Sequence, residues 1–385
     1  MRDTSVRPQQ SPLAARLAAV PAALCLGAVV LASCSSAPSS PSAATTTTRH
    51  GAASPAAAST TTTAPPQSTL PPAATTGPLQ AGGPIALPFA ADRVTAAESP
   101  DGAVFAAPQD PTNPAPAIAW VIDGNGPAAI AEHVATGIAA MAADGRNFYA
   151  ATYSNVYAYN RASGDQDGQW NMPTVNAANS SDADLVALAT GGDNVFVSIT
   201  RGTTVSVYRF DPSSSAGPRL VVRGLGDAIG ADGSIYYERA DHHLAALRPG
   251  GSTTVGPSLA DAPNGLGGGV QYVDVIAAGA VWVSEPAGQG LDATYTTYDA
   301  RTLARAGSYG GSVTSSVVDT AAGPLVLQPD GNPSACPPSC VLRIDEHGST
   351  SDPVSVGAAV TLLGPAPAVI VSDTTTGQFD LVRLS

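Results

Sequence analysis

Lysine is absent from all 385 residues: the 17 basic side chains are arginines, set against 30 aspartates and glutamates for a net charge of −13. Arginines scattered through so acidic a chain form no basic patch that could neutralise a phosphate backbone, which excludes nucleic acid as a partner. An anionic bilayer would repel the chain as well. Long apolar runs are missing except for one near the N-terminus, and beyond residue 84 no amphipathic stretch of helical length stands out. No phosphate-cradling loop is present either, since "NGLGGG" (264–269) lacks the lysine that a P-loop needs. Cysteine is rare, at positions 25, 34, 336 and 340 only.

What is there begins with Arg2, Arg7 and Arg16 ahead of "LAAVPAALCLGAVVLAS" (17–33), an uncharged run ending on small side chains. A spanning helix needs about 20 apolar residues. This run is shorter and carries Pro21, so residues 1–33 are expected to be an export signal that is removed. Leu31-Ala32-Ser33-Cys34 resembles the lipobox of bacterial lipoproteins, which implies cleavage before Cys34 and a diacylglyceryl group on its sulfur. Acyl chains buried at about 0.8 kcal/mol per CH₂ would then anchor the chain to the outer face of the cytoplasmic membrane. Cleavage would remove Arg2, Arg7, Arg16 and Asp3, taking the net charge from −13 to −15.

Residues 34–83 are rich in Ser, Thr, Ala and Pro and have almost no large apolar side chain to bury, so they are expected to stay disordered. A flexible chain of this length spans about 40 Å, enough to lift a domain clear of lipid headgroups. His50 falls in this spacer without an obvious partner.

Residues 84–385 repeat. The segments "DGAVFAAP" (101–108), "GRNFYAAT" (145–152), "GDNVFVSI" (192–199), "DGSIYYER" (232–239), "AGAVWVSE" (278–285), "AAGPLVLQ" (321–328) and "APAVIVSD" (366–373) each run from turn residues into an apolar strand. Their centres at Val104, Phe148, Val195, Ile235, Val281, Leu325 and Val369 fall every 40 to 47 residues. Seven such units predict an all-β, seven-bladed β-propeller. A two-sheet sandwich has no need of so regular a beat. Within a unit, a small-residue strand such as "GIAAMAA" precedes an aromatic strand "NFYAATY", then "NVYAYNR" and "GQWNMP", a four-stranded meander. The Ala- and Gly-rich strand suits the axis, where seven strands converge. The last unit ends at Ser385 one strand short, while "PIALPFA" (84–90) stands unassigned before the first. Pairing these two ends would close the ring and remove an edge.

The stretch "VYAYNRASGDQDGQW" (156–170) resembles the repeat of quinoprotein-type propellers, a Y-A-L-D-A-x-T-G core followed by a tryptophan that docks one blade on the next. Tyr157, Ala158, Ser163, Gly164 and Trp170 match in kind; Asn160 replaces the usual Asp, and Trp170 comes two residues late. "YTTYDARTLARAGSY" (295–309) is a looser copy. The resemblance, to the pyrroloquinoline-quinone-like and surface-layer-type (YVTN-like) propellers of bacterial lipoproteins, implies the ring and not a chemistry. WD40 repeats are a weaker match, because neither the GH nor the WD dipeptide recurs.

Candidate chemical groups are few. Asp184, Asp227 and Asp274 fall at or just before inner strands of consecutive blades, with Asp319 inside the next, so their carboxylates could converge at the channel mouth on a hard cation, Ca²⁺ or Mg²⁺. Aspartates ending loops to satisfy turn amides are the plain alternative. Lactonases and streptogramin lyases on similar propellers use such a mouth. Asp241, His242 and His243 have metal-ligand chemistry, but adjacent strand residues point to opposite faces, so they could share an ion only from a turn. His133 and His347 are isolated. Cys336 and Cys340, in a compartment that permits disulfides, are expected to bridge a local loop. No complete catalytic set is visible. The expected function is a non-catalytic binding or scaffolding module for a protein or glycan of the cell envelope, the alternative being a metal-assisted hydrolase or lyase and, behind it, a quinone-dependent dehydrogenase.

Overall fold

The computed structural model describes residues 78–385, apart from short stretches at 92, 110–116, 124–125, 136, 174–183, 260–271, 278, 287–291, 313–315, 321–322, 330–338, 344–352, 374–375 and 377. The signal sequence, Cys34 and His50 therefore lie outside the described residues, as do Cys336, His347 and the "NGLGGG" loop. The first strand, β1 (Ala81–Ala90), does not pair with its neighbours in sequence. The strands form successive four-stranded antiparallel sheets.

Blade 1 comprises β2 (Val94–Glu98), β3 (Val104–Pro108), β4 (Ala117–Asp123) and β5 (Gly126–Val134), and blade 2 comprises β6 (Ala140–Ala143), β7 (Asn147–Ala151), β8 (Asn155–Asn160) and β9 (Gln166–Asn171). Blade 3 is β10 (Leu185–Gly191), β11 (Asn194–Arg201), β12 (Thr204–Phe210) and β13 (Arg219–Gly224). Blade 4 is β14 (Asp227–Ile229), β15 (Ile235–Glu238), β16 (His243–Leu247) and β17 (Thr253–Ser258). Blade 5 is β18 (Tyr272–Ala277), β19 (Ala280–Pro286), β20 (Asp292–Asp299) and β21 (Arg305–Ser312). Blade 6 is β22 (Ser316–Val318), β23 (Leu325–Pro329), β24 (Ser339–Arg343) and β25 (Val354–Ser355). Blade 7 takes β26 (Ala359–Leu363), β27 (Ala368–Asp373) and β28 (Gln378–Leu384) from the end of the chain and β1 from its beginning.

Burial follows position in the blade. The second strands, which carry the repeated segments of the sequence, are covered on both faces by neighbouring blades, so β7 is buried at every residue. That is why they read as continuous apolar runs rather than alternating ones. Outer strands have one covered face, and β17 alternates between exposed and half-buried. The inner strand β6, "AMAA", is buried throughout, where only small side chains and one adaptable methionine fit.

Seven clusters of buried side chains fill the seams between consecutive blades. The closing seam joins Leu87 of β1 and Leu363, Ala368, Ile370, Phe379 and Leu381 of blade 7 to Val104, Ala106 and Ile122 of blade 1. β1 lies antiparallel to β28 with Ile85 opposite Leu381 and Pro84 opposite Val382. The expected closure is present, and it starts three residues earlier than the sequence suggested, at Ala81. Backbone bonds of 2.9 and 3.0 Å between Gln80 and Ser385 extend the ladder. Pro84 and Pro88 are tolerated because β1 is an edge strand.

Residues 156–170 run through β8, the turn after it and most of β9. Gly164 sits at φ 77°, and a Cβ there would come within 1.6 Å of the Ile130 carbonyl oxygen, so no other residue fits. Asn160 does the work of the usual Asp, its Oδ1 accepting from the amides of Ala162 and Ser163 at 2.9 and 3.2 Å. Trp170 leaves blade 2 to pack on Phe210 of blade 3, with ring centroids 4.7 Å apart, and its indole N–H donates to the Ser214 carbonyl at 3.0 Å. The looser copy builds the same turn around Asp299, with Leu303 at φ 61° in the glycine's place.

Candidate functional site

Each blade begins its inner strand on the face of the ring where the chain crosses from the preceding blade, here the crossover face; the hairpins joining first to second strands lie on the opposite, turn face. Asp184 precedes β10 on the crossover face with its carboxylate fully buried. Its two oxygens take a bidentate pair from Arg201 at the end of β11, at 2.9 and 2.7 Å. Asp227 opens β14, and its Oδ2 accepts the Ser198 hydroxyl at 2.6 Å. Burial raises its carboxyl above the ordinary range, against the opposing pull of that hydroxyl. Asp274 lies in β18, but its side chain is outside the described residues. Asp319 falls after β22, at the turn-face end of its strand, because that strand ends at Val318; the sequence reading that placed it inside the strand is corrected. Among the described residues, no group of three or more His, Cys, Asp or Glu is placed to hold a metal ion.

The "DHH" motif does lie at a turn, between β15 and β16, with His243 opening β16. It is more than a solvated loop. His242 adopts φ 61°, and its Nδ1 stands 2.7 Å from Oε1 of Glu238, a carboxylate 1% exposed. Among the described residues Glu238 Oε2 has no hydrogen-bond partner, and burial pushes the carboxyl's pKa up. His243 instead faces the Asp241 carbonyl at 3.1 Å, so the two imidazoles are held by different groups. The spacing Glu-x-x-x-His was the signal in the sequence, readable only once the turn was known. His133 lies in β5, its side chain outside the described residues. Cys340 is buried in β24.

Among the described residues, two clefts that open on the turn face stand out. The larger, about 880 Å³, lies between blades 2 and 3 over Tyr149 and Trp170. Asp144, Asp167, Asp193 and Asp211 line it, with Arg146 as the only cation of the lining. Asp144 is held by the Tyr149 hydroxyl at 2.7 Å and by the amides of Arg146 and Asn147. Burial keeps the Tyr149 phenol protonated well above its usual range, so it remains a donor. Asp211 accepts from the Ser213 hydroxyl and amide, which lower its pKa. Among the described residues, none of these four carboxylates is in an ion pair. The smaller cleft, about 390 Å³, lies beside the closing seam, where Arg161 pairs with Asp101 and Arg383 with Glu98.

No protein-family model matches the chain. No curated protein matches it in sequence either. Solved structures do: the Cps50 (Swd1) β-propeller domain of Myceliophteria thermophila aligns with a TM-score of 0.53 at 10% identity, over 80% of this chain and 100% of that one. The WD40 domain of coronin from Toxoplasma gondii aligns with a TM-score of 0.50 at 10% identity, over 80% of this chain and 85% of that one. The likeness is one of fold. At such identity it carries no activity across.

Proposed function

We propose that the chain is an exported lipoprotein, cut before Cys34 and held by lipid on that sulfur at the outer face of the cytoplasmic membrane, whose propeller is a non-catalytic binding module for a protein or glycan of the cell envelope. The lipobox-like Leu31-Ala32-Ser33-Cys34 and the spacer behind it support the tether. The observation that carries the binding role is the cleft between blades 2 and 3, whose size suits a ligand and whose four carboxylates form no ion pair among the described residues. Cys336 and Cys340 belong to this reading as a local disulfide, as an exported compartment permits. Two titratable thiols at these positions in the unfolded, unreduced chain would count against it.

Cys34→Ala should leave the precursor uncut or release the protein from the membrane; a variant still processed and membrane-bound ends the tether reading. A photoreactive residue at position 193, in the full chain on cells, should capture an envelope component that one at position 255 on the outer strand of blade 4 does not. Equal capture from both positions ends the cleft reading. The alternative, a metal-assisted hydrolase, requires a cation to displace Arg201 from Asp184, and calorimetry with Ca²⁺ or Mg²⁺ would then give heat that Asp184→Asn abolishes.

A further inference from the structure

In the register of blade 3, Arg209 of β12 stands directly opposite Arg219 of β13. Residues directly opposite in an antiparallel pair project to the same side with Cβ atoms about 5 Å apart, and like charges so placed repel. Neither guanidinium makes an ion pair or hydrogen bond among the described residues. This sets them apart from Arg161, Arg201, Arg239 and Arg383, each of which meets a carboxylate, and from Arg248, which binds the Tyr236 hydroxyl and two carbonyls of blade 5. Arg209 shares its strand face with Val205 and Val207, buried in the seam toward blade 4, so the pair sits at the margin of that seam. The acidic residues of the adjoining turns are engaged elsewhere: Asp211 with Ser213, and Asp232 with the amide and hydroxyl of Ser234.

Edge protection accounts for a charge on the outer strand β13, where Arg219 and Arg223 are both exposed. It does not account for Arg209, half-buried on an interior strand and facing a second arginine. We propose that Arg209 and Arg219 form an oxyanion-binding site at the blade 3–blade 4 seam, taking a phosphate group between their two planar forks. An oxyanion there would accept charge-assisted hydrogen bonds from both guanidinia and turn a repulsive pair into an attractive one. The phosphate is free or carried on an anionic polymer, and the recognising chemistry is the same.

The mature chain would be titrated calorimetrically at constant ionic strength with inorganic phosphate and, separately, with poly(glycerol phosphate). Saturable binding is expected, weakened about tenfold or more by R209Q or by R219Q, as loss of a charged hydrogen bond implies. R223Q, whose residue lies opposite Ser206, should bind as the parent does. Binding of inorganic phosphate supports a free anion, and binding of the polymer alone supports a polymer-borne one. No saturable binding of either probe, or an equal loss in R223Q, overturns the proposal. Melting without ligand guards against misfolding: R219Q should melt at or above the parent because a repulsion is gone, and phosphate should raise the melt of the parent but not of R219Q.

Discussion

The seam between blades 7 and 1 and the seam between blades 2 and 3 use the same materials in opposite ways. Both bury an aromatic or aliphatic cluster, and both place charged residues at the turn face. At the closing seam, Arg383 of β28 reaches into blade 1, donating to the Gly102 carbonyl at 2.7 Å and pairing with Glu98 at 3.2 Å. Its charge is engaged in holding the ends of the chain together. At the seam between blades 2 and 3, cohesion comes from Trp170 on Phe210, and the carboxylates around it stand over an open cleft. Cohesion by packing leaves charge available for a ligand; cohesion by charge does not.

The largest effect should come from deleting residues 81–90. This strips β28 of its partner and removes Leu87 from the closing cluster, so the cooperative melt of the whole ring should be lost or lowered strongly in calorimetry. An unchanged melt would show that the ring does not depend on this closure. Next, Trp170→Ala should cost about 3–5 kcal/mol in denaturant unfolding, as for other large buried aromatics, and should weaken any ligand of the adjacent cleft. Arg383→Ala should cost about 1–3 kcal/mol, because it leaves the buried Glu98 carboxyl and the Gly102 carbonyl without their donor.

A pH titration sharpens the contrast further. Burial, opposed in part by Arg383, pushes Glu98 from 4.5 up to about 7. The folded state thus binds this proton more tightly than the unfolded one, so its contribution is full below pH 4.5 and is lost as pH rises through about 7. Glu98→Gln should flatten the fall in stability between pH 5 and 8. A slope as steep as the parent's would place the titrating group elsewhere. The smallest effect belongs to the open seam: Asp167→Asn with Asp193→Asn should move stability by no more than about 0.5 kcal/mol, as for other exposed positions.

The ring was legible because its logic is local and repeated. A second strand covered on both faces reads as a nearly continuous apolar run, and seven such runs at a steady spacing leave little choice of fold. The closing strand was legible from an imbalance, a last unit one strand short and a first strand to spare. The sites were not, because they depend on contacts between distant residues. Glu98 and Arg383 are 285 residues apart. The pairing of Arg209 with Arg219 depends on a bulge at Val221 of β13 that no local pattern announces. Asp319 was misplaced because β22 is only three residues long, and Asp184 read as a ligand because its partner Arg201 lies one hairpin away.

The strand that closes the ring is also the one that continues into the N-terminal segment. A pull along that segment is delivered to no other strand first. It meets the paired backbone bonds of Gln80 and Ser385, then the ladder from Ala81 opposite Leu384 onward. The strand that closes the ring is therefore also the first to bear load, and a tension sufficient to part β1 from β28 would strip blade 7 of its outer strand before it reached any other blade.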